Sequence, residues 1–187
     1  MQLPGHLDGG GGGEADEEEH QADEVRRAVV EHRVERESLK AVLQHPAAAT
    51  SWYEIVEDDA YTFAPYRRAH QAVIAVFDKH DPAEIETSAW IESVMSHAAD
   101  DSVRTTLSAL VVEPLNSTVN ESIDRYVTGV IAKLQELDAS RRIADLKGRL
   151  QRLDAEADAE AQAEIFDQLL ALETHRRALA DHARGQG

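Results

Sequence analysis

Cysteine is absent from all 187 residues. That excludes disulfides, thiolate catalysis and cysteine-ligated zinc. No apolar run approaches the roughly 18–20 residues that a membrane-spanning helix needs. The N-terminus lacks the basic residues and apolar stretch of a signal peptide. The expectation is a soluble, cytoplasmic chain with no membrane partner. Basic side chains are outnumbered, 19 against 36 acidic, for a net charge of −17. Such a surface repels phosphate backbones, so little direct nucleic-acid binding is expected outside a local basic patch. Aromatic residues make up only 5%. Glycine is scarce inside the chain: five of ten fall in Gly9–Gly13, and Gly185 and Gly187 end it. Alanine, glutamate, leucine and arginine fill the rest, the composition of an all-α protein.

What is present falls into three parts. Residues 1–22 read as a disordered linker, with Gly9–Gly13 as a tether and Glu14–Glu19 as a like-charge block with nothing to bury. Residues 23–137 read as a helical bundle. Val25, Val29, Val30, Leu39, Val42 and Leu43 recur at helical spacing until Pro46 stops the run. Ser51-Trp-Tyr-Glu54 has the form of a capping box opening a short helix. A third helix is expected over about Pro65–Lys79. Asp81-Pro-Ala-Glu84 starts a turn before a fourth helix around Ser88–His97. A fifth is expected over about Asp101–Val112, ended by Pro114.

The last third is patterned differently. Thr118-Val-Asn-Glu121 is another capping box, opening a helix over about 119–153. Ile123, Val127, Val130, Leu134 and Leu137 form a heptad seam. Six residues then separate Leu137 from Ile143, where Leu146, Leu150 and Leu153 resume the rhythm. At about 100° per residue the seam turns by roughly 240°. One long helix thus carries two apolar stripes on different faces. Ile165, Phe166, Leu169, Leu170, Leu172 and Leu179 offer a partner stripe beyond the sparse stretch Asp154–Ala163. An antiparallel pairing of 140–153 with 164–183 would make a projecting hairpin, within a third part over 138–187. The fold expected is therefore all-α, a helical bundle joined by a long helix to a C-terminal helical hairpin.

Catalytic signatures are missing. None of the nine histidines forms a pair at i, i+4, and no His-Glu-x-x-His occurs. Gly9–Gly13 has no Lys-Ser/Thr after it. The acidic pairs around Asp58 and Asp100 read as caps and charged turns. No catalytic residue, cofactor or metal is assigned. One region departs from the global charge: residues 139–153 hold five bases against the single acid Asp145. His175, Arg176, Arg177, His182 and Arg184 lie on the opposite arm. These bases either solubilise the hairpin or form a docking face for an acidic partner segment.

Several stretches resemble one family in order. They are Glu35–Pro46, Tyr61-Thr-Phe-Ala-Pro-Tyr66, Leu110-Val-Val-Glu-Pro-Leu115, Arg125-Tyr-Val127, Leu134-Gln-Glu-Leu137, Ile143–Leu153, Leu169–Glu173 and Arg176-Arg-Ala-Leu179. Together they resemble the C-terminal helicase-binding domain of DnaG-type bacterial primases of high-GC bacteria, over about residues 33–183. Thr174-His175 departs from that pattern, where an aromatic is expected. The resemblance implies a non-catalytic interaction domain whose partner is the hexameric DnaB-type replicative helicase, within a parent that is a DNA-directed RNA polymerase. It also implies a second partner, the acidic tail of single-stranded DNA-binding protein. Leu169, Leu172, Arg176, Arg177 and Leu179 are expected to contribute to docking, with Arg142 and Lys147 as electrostatic support. The alternatives are an N-terminal-type domain of a replicative helicase and a free-standing helical adaptor.

Overall fold

The computed structural model describes residues 12–77, 79–118, 122–154 and 158–184, with side chains from residue 21 on. Among these residues the chain forms seven α-helices and one 3-10 turn, Asp58–Ala60. The helices are α1 (Gly12–Gln44), α2 (Pro46–Tyr53), α3 (Ala64–Phe77), α4 (Thr87–Ser96), α5 (Asp101–Val112), α6 (Ile123–Leu150) and α7 (Ala159–Ala183). No strand occurs among the described residues.

Local sequence sets most boundaries. Pro46 does not only end α1; it opens α2 as the first helical residue. Its fixed φ suits that position, and its missing N–H would have had no helical acceptor there. The box at Ser51–Glu54 therefore falls at the end of α2 and caps nothing. Asp100 caps α5 by accepting from Val103 N at 2.9 Å. Asp81 Oδ1 accepts from Ala83 N at 2.9 Å, fixing the turn before α4. The expected box at 118–121 lies partly outside the described residues, and α6 follows Ser122. Of the linker expected over 1–22, residues 1–11 lie outside the described residues. From Gly12 the chain is already helical and continuous with the rest of α1.

The bundle core is built around Leu39, Leu43, Tyr53, Val73, Trp90, Leu107, Leu110, Ile131 and Leu134, all buried. The Trp90 indole N–H donates to Val42 O at 3.1 Å. Three of the family-like stretches meet at the middle of α1. Glu35 accepts from Thr62 N at 2.8 Å, Thr62 Oγ1 at 2.6 Å and Phe63 N at 3.1 Å, which holds the start of α3. Lys40 pairs with Glu37 at 2.6 Å and donates to Pro114 O at 2.7 Å. Glu37 also accepts from Asn116 N at 2.7 Å and from the Tyr126 hydroxyl. Gln44 Nε2 donates to Leu110 O at 2.9 Å and Glu113 O at 2.8 Å. One helix thus ties down α3 and the α5–α6 connection through buried side chains.

Helix α6 runs unbroken through the expected division at 137/138. Its buried face winds instead of jumping: Val127, Ile131, Gln135, Ala139 and Ile143 succeed each other every four residues. Each step of four rotates the face by about 40°. Buried Ala139 lets neighbouring helices approach where the apolar seam is interrupted. Helix α7 packs back along α6 well beyond the expected 140–153. Its C-terminal His182 stacks on Trp52 of α2, ring centroids 4.0 Å apart. The hairpin is therefore seated against the bundle and does not simply project from it.

Candidate docking surface of the C-terminal hairpin

The hairpin closes on Ile143 and Leu146 of α6 and on Ile165, Leu179 and Ala180 of α7, all buried. Leu150, Leu153, Leu169 and Leu172 are half-buried beside them. The α7 stripe is wider than this seam can cover. Phe166 and Leu170, four residues apart and so on one face, are 56% and 71% exposed. Arg177 lies further along that side, exposed. The sequence had placed Phe166 and Leu170 inside the hairpin stripe. Only the packing of α7 shows that they face outward.

The hairpin bases are mostly engaged within the chain. Arg141 pairs with Glu31 at 3.1 Å and donates to Asp59 O at 3.2 Å and Ala60 O at 2.9 Å. Arg142 pairs with Glu57 and with Asp138, the latter at 2.8 Å. The Glu57 hydrogen bond raises the Arg142 pKa above its ordinary value. Lys147 and Arg176 share Glu173, at 3.3 and 3.0 Å. Arg176, and then Lys147, hold that carboxylate below its usual pKa. Arg149, Arg152 and Arg177 enter no ion pair among the described residues. Of the seven residues singled out in sequence, Leu179 thus seals the hairpin and Arg142 fastens it to the bundle. Lys147 and Arg176 brace α6 to α7, Leu169 and Leu172 border the seam, and Arg177 faces solvent. An open groove of about 600 Å³ between the 3-10 turn and the hairpin is lined by Arg141, Arg142, Leu146 and Leu172.

A polar cluster in the bundle has the residue types of an acid–base site. The Tyr53 hydroxyl lies 2.9 Å from both the Tyr61 hydroxyl and His70 Nδ1, and Tyr61 donates to Ser38 Oγ at 3.4 Å. All four residues are sealed in the core. Burial pushes His70 down to about 4, only partly opposed by Asp58. The cluster satisfies buried hydroxyls and presents no reactive group at a surface. Among the described residues no group of three or more His, Asp or Glu side chains could hold a metal ion. No described helix is long and apolar enough to cross a membrane.

Comparison with known proteins agrees with this architecture. The family model described as DNA primase DnaG DnaB-binding matches residues 35–165. The chain is 32% identical over 151 residues to a DNA primase of Mycolicibacterium smegmatis and 31% identical over 151 residues to one of Mycobacterium leprae. It is 29% identical over 154 residues to a DNA primase of Streptomyces coelicolor. The first two matches cover 81% of this chain and 23% of the relative, so the chain spans about a quarter of those proteins. A solved structure, the helicase binding domain of primase from Mycobacterium tuberculosis, superimposes with a TM-score of 0.66 at 28% identity, covering 82% of this chain and 93% of that one. The matched segment holds Glu35, Glu37, Lys40 and Gln44 of α1, helices α2 to α5, and α6. On that ground the chain belongs to the DNA primase DnaG DnaB-binding family.

Proposed function

We propose that this chain is a non-catalytic docking domain that joins a primase to a DnaB-type replicative helicase, and that α7 presents the contact. Membership of a family described by that binding supports the reading. The single structural observation that carries it is the exposed pair Phe166 and Leu170 on a hairpin otherwise closed and braced by ion pairs. Two large apolar side chains held on a rigid helix suit a helix-in-groove contact, with anchors at i and i+4. Arg177 stands beside them as a cation for an acidic group of the partner. Leu169 and Leu172 form the border of the patch. Leu179, Arg176, Lys147 and Arg142 act by holding α7 in place.

A second contact belongs to the same reading. The acidic tail of single-stranded DNA-binding protein would find Arg149, Arg152 and Arg177 on the hairpin. Direct binding of nucleic acid remains minor, because the net charge of −17 opposes it.

The test is capture of the cognate helicase by the intact chain and by Phe166→Glu/Leu170→Glu. Both sites are exposed, so the variant keeps its helicity. A buried anchor in an interface contributes about 2 kcal/mol or more, so capture should weaken at least tenfold. Undiminished capture would sink the α7 assignment. A chain ending at Asp154 should lose capture as well.

A further inference from the structure

The second half of α6 reads as basic in sequence, yet one groove along it has the opposite sign. The open groove of about 600 Å³ beside the 3-10 turn is walled by Asp59, by Asp138, Arg142 and Asp145 of α6, and by Gln168 and Leu172 of α7. A smaller cavity of about 140 Å³ continues it past Ile55 and shares Asp138, Arg142 and Leu172 with it. Both arginines of the groove are already neutralised. Arg141 pairs with Glu31 at 3.1 Å and with Asp138 at 3.3 Å. Arg142 pairs with Glu57 and, at 2.8 Å, with Asp138. Asp145 makes no hydrogen bond or ion pair through its carboxylate among the described residues. Asp59 makes none through its own, and acts on Arg142 only as a nearby charge. Along the groove two arginines therefore meet four carboxylates, those of Glu57, Asp59, Asp138 and Asp145. The remaining wall is apolar. Leu146, Ala171 and Leu172 line the main groove, and Ile55, 59% exposed, stands at the end of the smaller cavity.

A surplus of carboxylates beside an aliphatic wall selects the occupant. An acidic segment would meet like charge. A wholly apolar one would cover Asp59 and Asp145 without giving either a counter-charge. Lysine and arginine carry both parts, an aliphatic stem and a cationic head. We propose that this groove docks a basic segment of a partner protein. One lysine or arginine lays its stem on Leu146, Ala171 and Leu172 and brings its head to Asp59 and Asp145. An aliphatic residue next to it reaches Ile55. The groove is of the size that holds such side chains, since binding pockets run from about 300 to 1,000 Å³. The carboxylates are exposed, so the contact is weak and falls with salt. At about 100° per residue, Gln168, Ala171 and His175 lie roughly 150° round α7 from Phe166 and Leu170. The groove is thus a separate surface and does not depend on the helicase reading.

Fluorescence anisotropy with the whole chain tests this, using a labelled peptide of alternating leucine and arginine as the probe. Saturable binding is expected. Asp59→Asn/Asp145→Asn should weaken it about three- to tenfold. The control Glu84→Gln/Glu92→Gln removes the same charge from exposed positions that do not line the groove, and should leave binding unchanged. Ala171→Arg supplies a cation from within the chain and should abolish binding. All these sites are exposed, so each variant should keep the helical circular dichroism spectrum. A peptide with glycine in place of leucine should bind more weakly, because it offers nothing to the aliphatic wall. Capture of the helicase should persist in Asp59→Asn/Asp145→Asn, which separates this groove from the α7 face. Absence of saturable binding overturns the proposal. Equal loss in the control variant would reveal only diffuse attraction to an acidic protein and overturns it too, as does undiminished binding of the glycine peptide.

Discussion

The side chains that fix this fold are polar ones inside the bundle. Glu35 serves two backbone amides and a hydroxyl at the start of α3, at 2.8, 3.1 and 2.6 Å. Glu35→Ala leaves three donors without that acceptor. A loss of about 2–4 kcal/mol in urea unfolding is expected, with Glu35→Gln recovering part of it. His70 gives the chain an acid sensitivity. Its pKa is lowered from 6.5 to about 4 by burial in the folded state, while the unfolded chain keeps the ordinary value. Between pH 6.5 and 4 the unfolded chain binds the extra proton. Stability is therefore full above pH 6.5 and falls as the pH drops through that window, by up to about 3 kcal/mol. Urea midpoints measured at steps of pH should show this slope, and His70→Phe should flatten it. None of these roles was readable from the sequence. Glu35 and Arg36 were visible only as part of a family-like stretch. Their partners lie 27–28 residues away for Glu35 and 77 for Arg36.

At the scale of the helix, periodicity carried most of the information. The third, fifth and long helices are found within a few residues of where apolar spacing put them, because proline, Asp100 and the repeat itself are local causes. The exceptions are instructive. Ser51 has the side chain of a cap but follows Pro46 and three alanines, which start the helix earlier. The break between Leu137 and Ile143 is present, yet alanines and Gln135 bridge it, so the buried face winds without a gap. Gly129 lies within α6, where its own helix needs no glycine. A Cβ there would meet Ala183 O at 3.7 Å, an ordinary contact. Gly129→Ala should therefore stabilise the chain by about 0.5–1 kcal/mol, seen as a raised urea midpoint. A loss instead would show that α7 packs more closely on α6 than this distance allows.

For the molecule as a whole, hairpin and bundle are joined by several independent contacts. Trp52 stacks on His182, Arg142 pairs with Glu57, and Arg141 reaches Glu31 and the backbone beside the 3-10 turn. Far-ultraviolet circular dichroism and tryptophan fluorescence should therefore report one coincident urea transition. Two separated transitions would show the hairpin unfolding by itself. By itself the sequence determined the all-α class, the order of the helices and the lack of a nucleophile or metal-binding signature. Those follow from local spacing, composition and missing residue types. Only the tertiary structure decided which members of each stripe are covered. Phe166, Leu170, Val25 and Val29 share the apolar character and spacing of buried neighbours. What separates them is where α7 and α1 run relative to the remaining helices. The same holds for the hairpin bases, which sequence presented as one patch. Packing engages Arg141, Arg142, Lys147 and Arg176 inside the chain and leaves Arg177 facing solvent, because an ion pair depends on distance in space and not on distance along the chain.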